Sequence, residues 1–183
     1  MDPNDEQVLA DTRRWLEKAV IGLNLCPFAR AVYVKDQVRI VVSRARHLDA
    51  LLDELEAELD LLQTTPAEQL ETTLLVHPTL FPDFLQFNDF LGVVDDVVVE
   101  HALEGVIQVA SFHPLFQFEG TEPDDISNAT NRAPYPTLHL LREDSVERAV
   151  ASDAGDAEAI VERNIATLQA LGHAGWRRLL AKN

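Results

Sequence analysis

The chain has 183 residues, 46% of them hydrophobic and 25% charged, which is typical of a single globular domain over residues 1–183 with a full hydrophobic core. Its formal net charge of −16 would repel phosphates, so the composition argues against nucleic-acid binding. With one cysteine, no signal-like start and no apolar run of the roughly 20 residues that cross a membrane, we expect a cytoplasmic protein without a membrane partner.

An amphipathic helix is predicted near the N-terminus, where Asn4 and Gln7 form a capping-box-like start. Apolar residues then recur at helical spacing until about residues 22–24, and a proline follows. Residues 31–34 and 37–42 are short apolar runs on either side of a Lys-Asp pair. This pattern predicts a β-hairpin, of which the second run is the better strand.

The rest of the chain alternates between strand and helix patterns. In chain order, the predicted elements are a helix over 48–62, a strand over 72–76, a helix over 82–103, strands over 106–112 and 137–141, helices over 144–150 and 160–172, and a further turn over 176–180. Strands that are separated by helices indicate right-handed βαβ crossovers, and therefore partly parallel pairing.

We therefore predict an α+β fold, a two-layer α/β arrangement in which helices back a four- or five-stranded mixed sheet with βαβ crossovers, and in which extra helices lie at both termini. A ferredoxin-like topology is the first expectation, and a small open α/β sheet is the second. The periodicities place one group of apolar residues on inward faces, in a single core: Leu51, Leu55, Leu59, Val76, Ile107, Val109 and Leu140.

A segment without regular periodicity, residues 113–136, separates the last two strands. In a compact domain such a long segment is typical of a lid, a binding loop or an active-site wall. The polar residues in and after it offer acid–base groups, an anion clamp and amide donors. The predicted site residues are His113, Asn128, Asn131, Arg132, Tyr135, His139 and Arg142.

Histidines are the residues best suited to acid–base catalysis near neutral pH, and three of them lie on or after strands. His77 and His113 each follow a strand and precede a proline, so the two could converge on one site at the carboxyl ends of the strands. His113 is the stronger candidate because the long loop follows it. His139 alternates with two leucines along its strand and therefore faces the loop or solvent rather than the core.

The two arginines admit two interpretations. Arg132 and Arg142 suit the recognition of a carboxylate or phosphate, and equally suit ion pairs with acidic neighbours that pin the loop. Asp124 and Asp125 are expected to cap a short helix rather than to bind metal. The sequence contains no HExxH and no paired CxxC spacing, so we predict no metal and no cofactor. Cys26 is expected to serve packing rather than nucleophilic attack, although a Cys26–His113 pair stays open.

Three segments together resemble a bacterial family of uncharacterised proteins known as domain of unknown function 1415. They are Gly22–Phe28 (GLNLCPF), Val109–Pro114 (VASFHP) and Asn131–Glu143 (NRAPYPTLHLLRE). The resemblance extends from Trp15 to about Gly172, and it implies membership of the family without implying a reaction.

The functional expectation is an enzyme that acts on a small anionic metabolite by hydrolysis or another proton transfer. His113, with His139 as a second catalytic candidate, would be the general acid/base; Arg132 would clamp the anion, and the loop amides and Tyr135 would orient it. On this hypothesis, His113→Ala and Arg132→Ala abolish binding or turnover and leave stability nearly unchanged. The alternatives are a non-catalytic module that binds a ligand or a protein and, less favoured, a metal-dependent hydrolase that uses His77, His113 and an aspartate.

Overall fold

The computed structural model describes residues 3–153 and 156–181. The helices are α1 (Asp5–Trp15), which a π-helix (Leu16–Ile21) continues, α2 (Ala29–Tyr33), α3 (Leu48–Thr64), α4 (Phe84–Glu100), a 3-10 helix (Ile126–Asn131), α5 (Glu143–Asp153) and α6 (Ala157–Leu180). The strands are β1 (Val38–Val42), β2 (Thr72–Val76), β3 (Ile107–Phe112) and β4 (Thr137–Arg142).

The four strands form one mixed sheet in the order β1-β2-β4-β3. β1 and β2 are parallel neighbours, and β4 is antiparallel to both β2 and β3. The predicted fold class is therefore confirmed: a mixed α+β protein with one four-stranded sheet, both kinds of pairing, and helices at both termini.

The strand order is not ferredoxin-like, and that expectation is wrong. A ferredoxin-like sheet separates each pair of helix-connected parallel strands by another strand. Here α3 connects direct neighbours, β1 and β2, and only the β2-α4-β3 unit is split, by β4. The interior position of β4 suits its sequence, because a central strand can bury leucines on both faces of the sheet, as β4 does.

Helices cover both faces of the sheet, which is thus the middle of three layers rather than one of two. On one face, α3 and α4 pack against Leu75, Leu138 and Leu140. On the other, α1 and the π-helix pack against Leu74 and Val76. The predicted core residues are confirmed as buried or partly buried, but Val76 belongs to the second face because side chains alternate along β2.

One local prediction is wrong and another is confirmed. Residues 31–34 are not a strand: they lie in α2 and its C-terminal turn, and Val32 is buried against Phe28 and Leu141. Tertiary packing on the helical face outweighs the β-propensity of the two valines in this segment. The end of the last long helical segment at Gly172 is confirmed: the backbone of that residue is non-helical (φ 64°, ψ 172°), and a second helical segment of α6 follows it to Leu180. In the part of the chain that the structure describes, no helix is long and apolar enough to cross a bilayer.

Candidate functional site

A cavity of about 230 Å³ lies between the sheet and the helical layer formed by α1, the π-helix and α2. Its wall is largely apolar, with Trp15, Phe28 and Phe112 as the aromatic members. Four other lining side chains carry a thiol, hydroxyl, amide or imidazole group: Cys26, Thr72, Asn131 and His139. A concave apolar pocket with a few convergent polar groups is the usual form of a small-molecule site.

His139 enters this cavity from the centre of the sheet. It lies on β4, and because Leu138 and Leu140 face the α3–α4 core, the imidazole faces the opposite layer, beside Phe112. The imidazole is partly buried, and it shares the cavity with Asn131 of the long loop. Burial lowers the pKa of His139 to about 4, so the ring is neutral at pH 7.

Cys26 belongs to the turn that connects the π-helix to α2. It follows the end of one helix, as the sequence indicates, but it also precedes α2, and the N–H of Ala29 donates to the carbonyl of Cys26 at 3.3 Å. Burial raises the pKa of the thiol, and the backbone N–H groups of Phe28 and Ala29 offset part of the rise. Cys26 is therefore a neutral thiol at pH 7 in the wall of the cavity.

The backbone of this turn explains why the segment has its particular residues. A Cβ atom at Gly22 would collide with the carbonyl oxygen of Lys18, and Asn24 adopts the left-handed conformation (φ 53°) that asparagine tolerates. The carbonyl of Leu25 accepts a hydrogen bond of 2.8 Å from the buried Asn164 Nδ2 of α6. The backbone at Gly22 and Asn24 and the hydrogen bond to Leu25 thus fix the conformation of the turn, which positions Cys26 beside the cavity.

The π-helix supplies another part of the wall, through Leu16 and Val20. π-Helices are rare and are frequently found at functional sites, because the wider turn redirects side chains. Asn131 closes the cavity from the long loop; its Nδ2 donates to the carbonyl of Ser111 on β3 at 3.2 Å.

His113 lies outside this cavity, in the core on the other face of the sheet. Only 1% of its surface is exposed. Leu115 N donates to Nδ1 at 3.0 Å, and Nε2 donates to the carbonyl of Phe81 at 2.9 Å. Both ring nitrogens are therefore used by the main chain, and burial lowers the pKa of the ring.

His77 lies next to His113, as the repeated His-Pro pattern suggests, but the two meet inside the core. Both rings contact Phe87, each with a centroid separation of 5.4 Å. His77 has no exposed surface, and neither of its ring nitrogens has a hydrogen-bond partner among the described residues. Burial, together with the neighbouring His113, lowers the pKa of His77 to about 3. Within the described ranges, no group of three His, Cys, Asp or Glu residues could hold a metal.

Arg132 and Asn128 hold the long loop together. The guanidinium of Arg132 donates to the carbonyls of Phe116 at 3.1 Å and Pro123 at 2.6 Å. Asn128 is fully buried, and both ends of its amide bond to atoms of residues 118–122. His113 and Arg132 thus have their polar groups on separate main-chain partners, and neither lines the cavity described above.

The remaining predicted site residues connect distant elements. Arg142 Nη2 donates to three carbonyls at and after the C-terminal end of α3, those of Leu62, Thr65 and Leu70, at 2.6, 2.7 and 3.0 Å. Tyr135 donates its hydroxyl to Asp11 on α1 at 3.0 Å. Asp125 caps the 3-10 helix through Ser127 N, as predicted. Of the predicted site residues, His139 and Asn131 share the cavity.

A family model described as "Protein of unknown function (DUF1415)" matches residues 7–178. The chain belongs to the DUF1415 family. No curated protein and no solved structure matches it.

All three segments that carry the resemblance to DUF1415 contribute to the cavity wall. The first provides Cys26 and Phe28, the second Ala110 and Phe112, and the third Asn131, His139 and Leu141. Sequence reasoning assigned Cys26 to packing and did not single out Thr72. The signal in the sequence that could have indicated this cavity is the single thiol, which lies in the first of the three segments.

Proposed function

We propose that this DUF1415 protein binds a small, uncharged and mainly apolar molecule in the cavity between the sheet and the α1–α2 layer. The observation that carries the proposal is the wall itself: apolar surface from three sequence segments and the π-helix encloses about 230 Å³ and four polar side chains. Burial of apolar surface would supply most of the binding free energy, and the polar groups would orient the ligand.

The electrostatics of the wall favour an uncharged ligand. None of the described residues that line the cavity carries a formal charge at neutral pH, because Cys26 and His139 are both held neutral by burial. An anion would lose its hydration there without gaining a cationic partner. Arg132 and Arg142, the expected anion clamps, donate to main-chain carbonyls elsewhere. The non-catalytic binding module, an alternative in the sequence analysis, is therefore the better supported hypothesis.

Filling the cavity tests this proposal. Ala110 lies on β3 in the cavity wall, so Ala110→Phe would place a ring in the space that the ligand needs. We expect toluene to bind the wild type and to bind Ala110→Phe at least about tenfold more weakly, a loss of about 1.4 kcal/mol or more. Titration followed by NMR or calorimetry measures both affinities.

The matched control is Ala31→Phe, which makes the same change at an exposed position of α2 and should leave the affinity for toluene unchanged. Benzoate, which has a similar ring and a negative charge, should bind the wild type more weakly than toluene. The proposal is overturned if toluene binds Ala110→Phe as it binds the wild type, or if benzoate binds more tightly than toluene.

A second candidate function is catalysis by the thiol in the same cavity. The observation that favours it is that Cys26 and the neutral base His139 line one space. A catalytic cysteine reacts as the thiolate, which an adjacent imidazole can generate by accepting the proton. Such an activated thiol would have a lowered pKa.

Alkylation by N-ethylmaleimide distinguishes the two candidates, because Cys26 is the single cysteine and the labelling rate reports on it alone. Burial raises the pKa of this thiol, so in the ligand-free protein we expect the rate to be slow at pH 7 and to be still rising above about pH 9. Ala110→Phe should slow the labelling further by blocking access. A rate that levels off near neutral pH would instead favour the catalytic thiol.

A further inference from the structure

The hydrogen bonds around His139 determine which of its ring nitrogens carries the proton. Thr72 Oγ1 lies 2.6 Å from the carbonyl oxygen of Leu140 and 2.8 Å from His139 Nε2. A carbonyl oxygen can only accept, so the hydroxyl proton of Thr72 must point toward Leu140. The hydroxyl then offers His139 lone pairs alone, and Nε2 must be the donor.

It follows that Nδ1 of the neutral His139 carries a lone pair and no proton. This nitrogen has no hydrogen-bond partner among the described residues, whereas the neighbouring amide of Asn131 is already bonded to Ser111. His139 lines the cavity, and the low pKa of its ring keeps the acceptor neutral at pH 7. His139 is only partly buried, so a donor in the cavity can reach this acceptor.

We propose that the ligand of this cavity carries a hydrogen-bond donor, an O–H or N–H group on an apolar body, which binds to Nδ1 of His139. This inference rests on the proposed function and specifies its ligand class: phenol-like or indole-like neutral molecules rather than hydrocarbons, ethers or carboxylates. Nδ1 determines the specificity, and Thr72 is a positioning residue that acts by fixing the tautomer of the ring.

Phenol and toluene form the test pair, since they have nearly the same shape and differ in the O–H donor. We expect phenol to bind the wild type about three- to tenfold more tightly than toluene, which corresponds to the usual net contribution of one hydrogen bond. ¹⁵N NMR of the His139 ring should show a protonated Nε2 and an unprotonated Nδ1. The Nδ1 resonance should shift on addition of phenol and not on addition of toluene.

Variants of Thr72 test the positioning role. Thr72→Val keeps the shape of the side chain but removes the acceptor that holds the proton on Nε2, so either ring nitrogen can then carry it. The ratio of phenol affinity to toluene affinity should therefore fall toward one. Thr72→Ser restores the hydroxyl and should restore the ratio. The readout is the ratio of the two affinities of the same variant, so a change in the wall that affects phenol and toluene alike does not alter it. Thermal unfolding shows whether Thr72→Val is folded.

The outcomes separate this inference from the proposed function. If neither phenol nor toluene binds, the proposed function fails and the inference fails with it. If the wild type binds both equally well, or if NMR finds the proton on Nδ1, the cavity still binds ligands but the donor requirement is wrong. If Thr72→Val keeps the full preference for phenol, Thr72 does not position the ring.

Discussion

Lowering the pH from about 7.5 to about 5 is expected to reduce the free energy of unfolding by about 4 kcal/mol through His77 and His139 alone. Burial lowers the pKa of His77 to about 3 and that of His139 to about 4. In the unfolded chain both rings titrate near pH 6.5. Between these values the unfolded state binds more protons than the folded state, so each ring removes about 2 kcal/mol of stability by pH 5.

The sign of this effect follows from the depressed pKa values. The free energy of unfolding has its full value above about pH 6.5, where both rings are neutral in the folded and unfolded states. It decreases as the pH falls toward the pKa values of the two rings in the folded protein. His113, whose pKa burial also lowers, acts in the same direction. Urea unfolding at the two pH values measures the difference.

His77→Phe isolates one half of the effect, because a phenyl ring suits the neighbouring Phe81 and Phe87 and does not titrate. We expect this variant to lose about 2 kcal/mol less than the wild type over the same pH interval. His47→Phe is the control at an exposed histidine and should keep the wild-type pH dependence. Equal pH dependence in His77→Phe and the wild type would contradict the assignment of the proton uptake to the buried ring.

Replacing His113 by alanine is expected to destabilise the protein by about 3–5 kcal/mol, the range for removing a buried aromatic ring. The variant would leave a void beside Phe84 and Phe87. It would also leave Leu115 N and the carbonyl of Phe81 without their partner. Arg132→Ala should cost about 1–3 kcal/mol, since two loop carbonyls lose a charged donor.

Neither change should alter the affinity for toluene, because His113 and Arg132 lie outside the cavity wall. This is the reverse of the outcome that the sequence predicts for a catalytic pair. His47→Ala and Arg177→Ala, at exposed positions, are the controls for the two substitutions. Thermal unfolding and toluene titration of the same samples measure both effects. Unchanged stability with lost toluene binding would contradict the structural roles of His113 and Arg132 and favour a site in the long loop.

The sequence was sufficient where local periodicity decides structure. The leucine stripe of α3 and the cap at Asn4 were predictable, since both follow from residues within a few positions of one another. The strand order was not, because nothing local shows that β4 lies between β2 and β3. The helical state of residues 31–34 likewise depends on burial against Leu141, which is distant in the chain.

For the candidate site, the sequence identified residue types but not their partners. Arg142 looked like an anion clamp, yet it binds carbonyls near the end of α3. His113 and His139 are equivalent as residue types, but the sheet separates them. The ring of His113 is bonded to the main chain in one core, and His139 lines a cavity on the other face. Which polar groups are already satisfied is a property of long-range contacts, and it decides where a ligand can bind.

The interior position of β4 affects how the chain can fold during its synthesis on the ribosome. Until residues 137–142 have emerged, β2 and β3 have no common neighbour, and each presents an unpaired edge of backbone donors and acceptors. Ribosomes add roughly 5–20 residues per second, so these strand edges stay unpaired for several seconds in the nascent chain and can pair with other strands. His139 lies on this same strand, so its imidazole joins the cavity wall only after β4 has paired with β2 and β3.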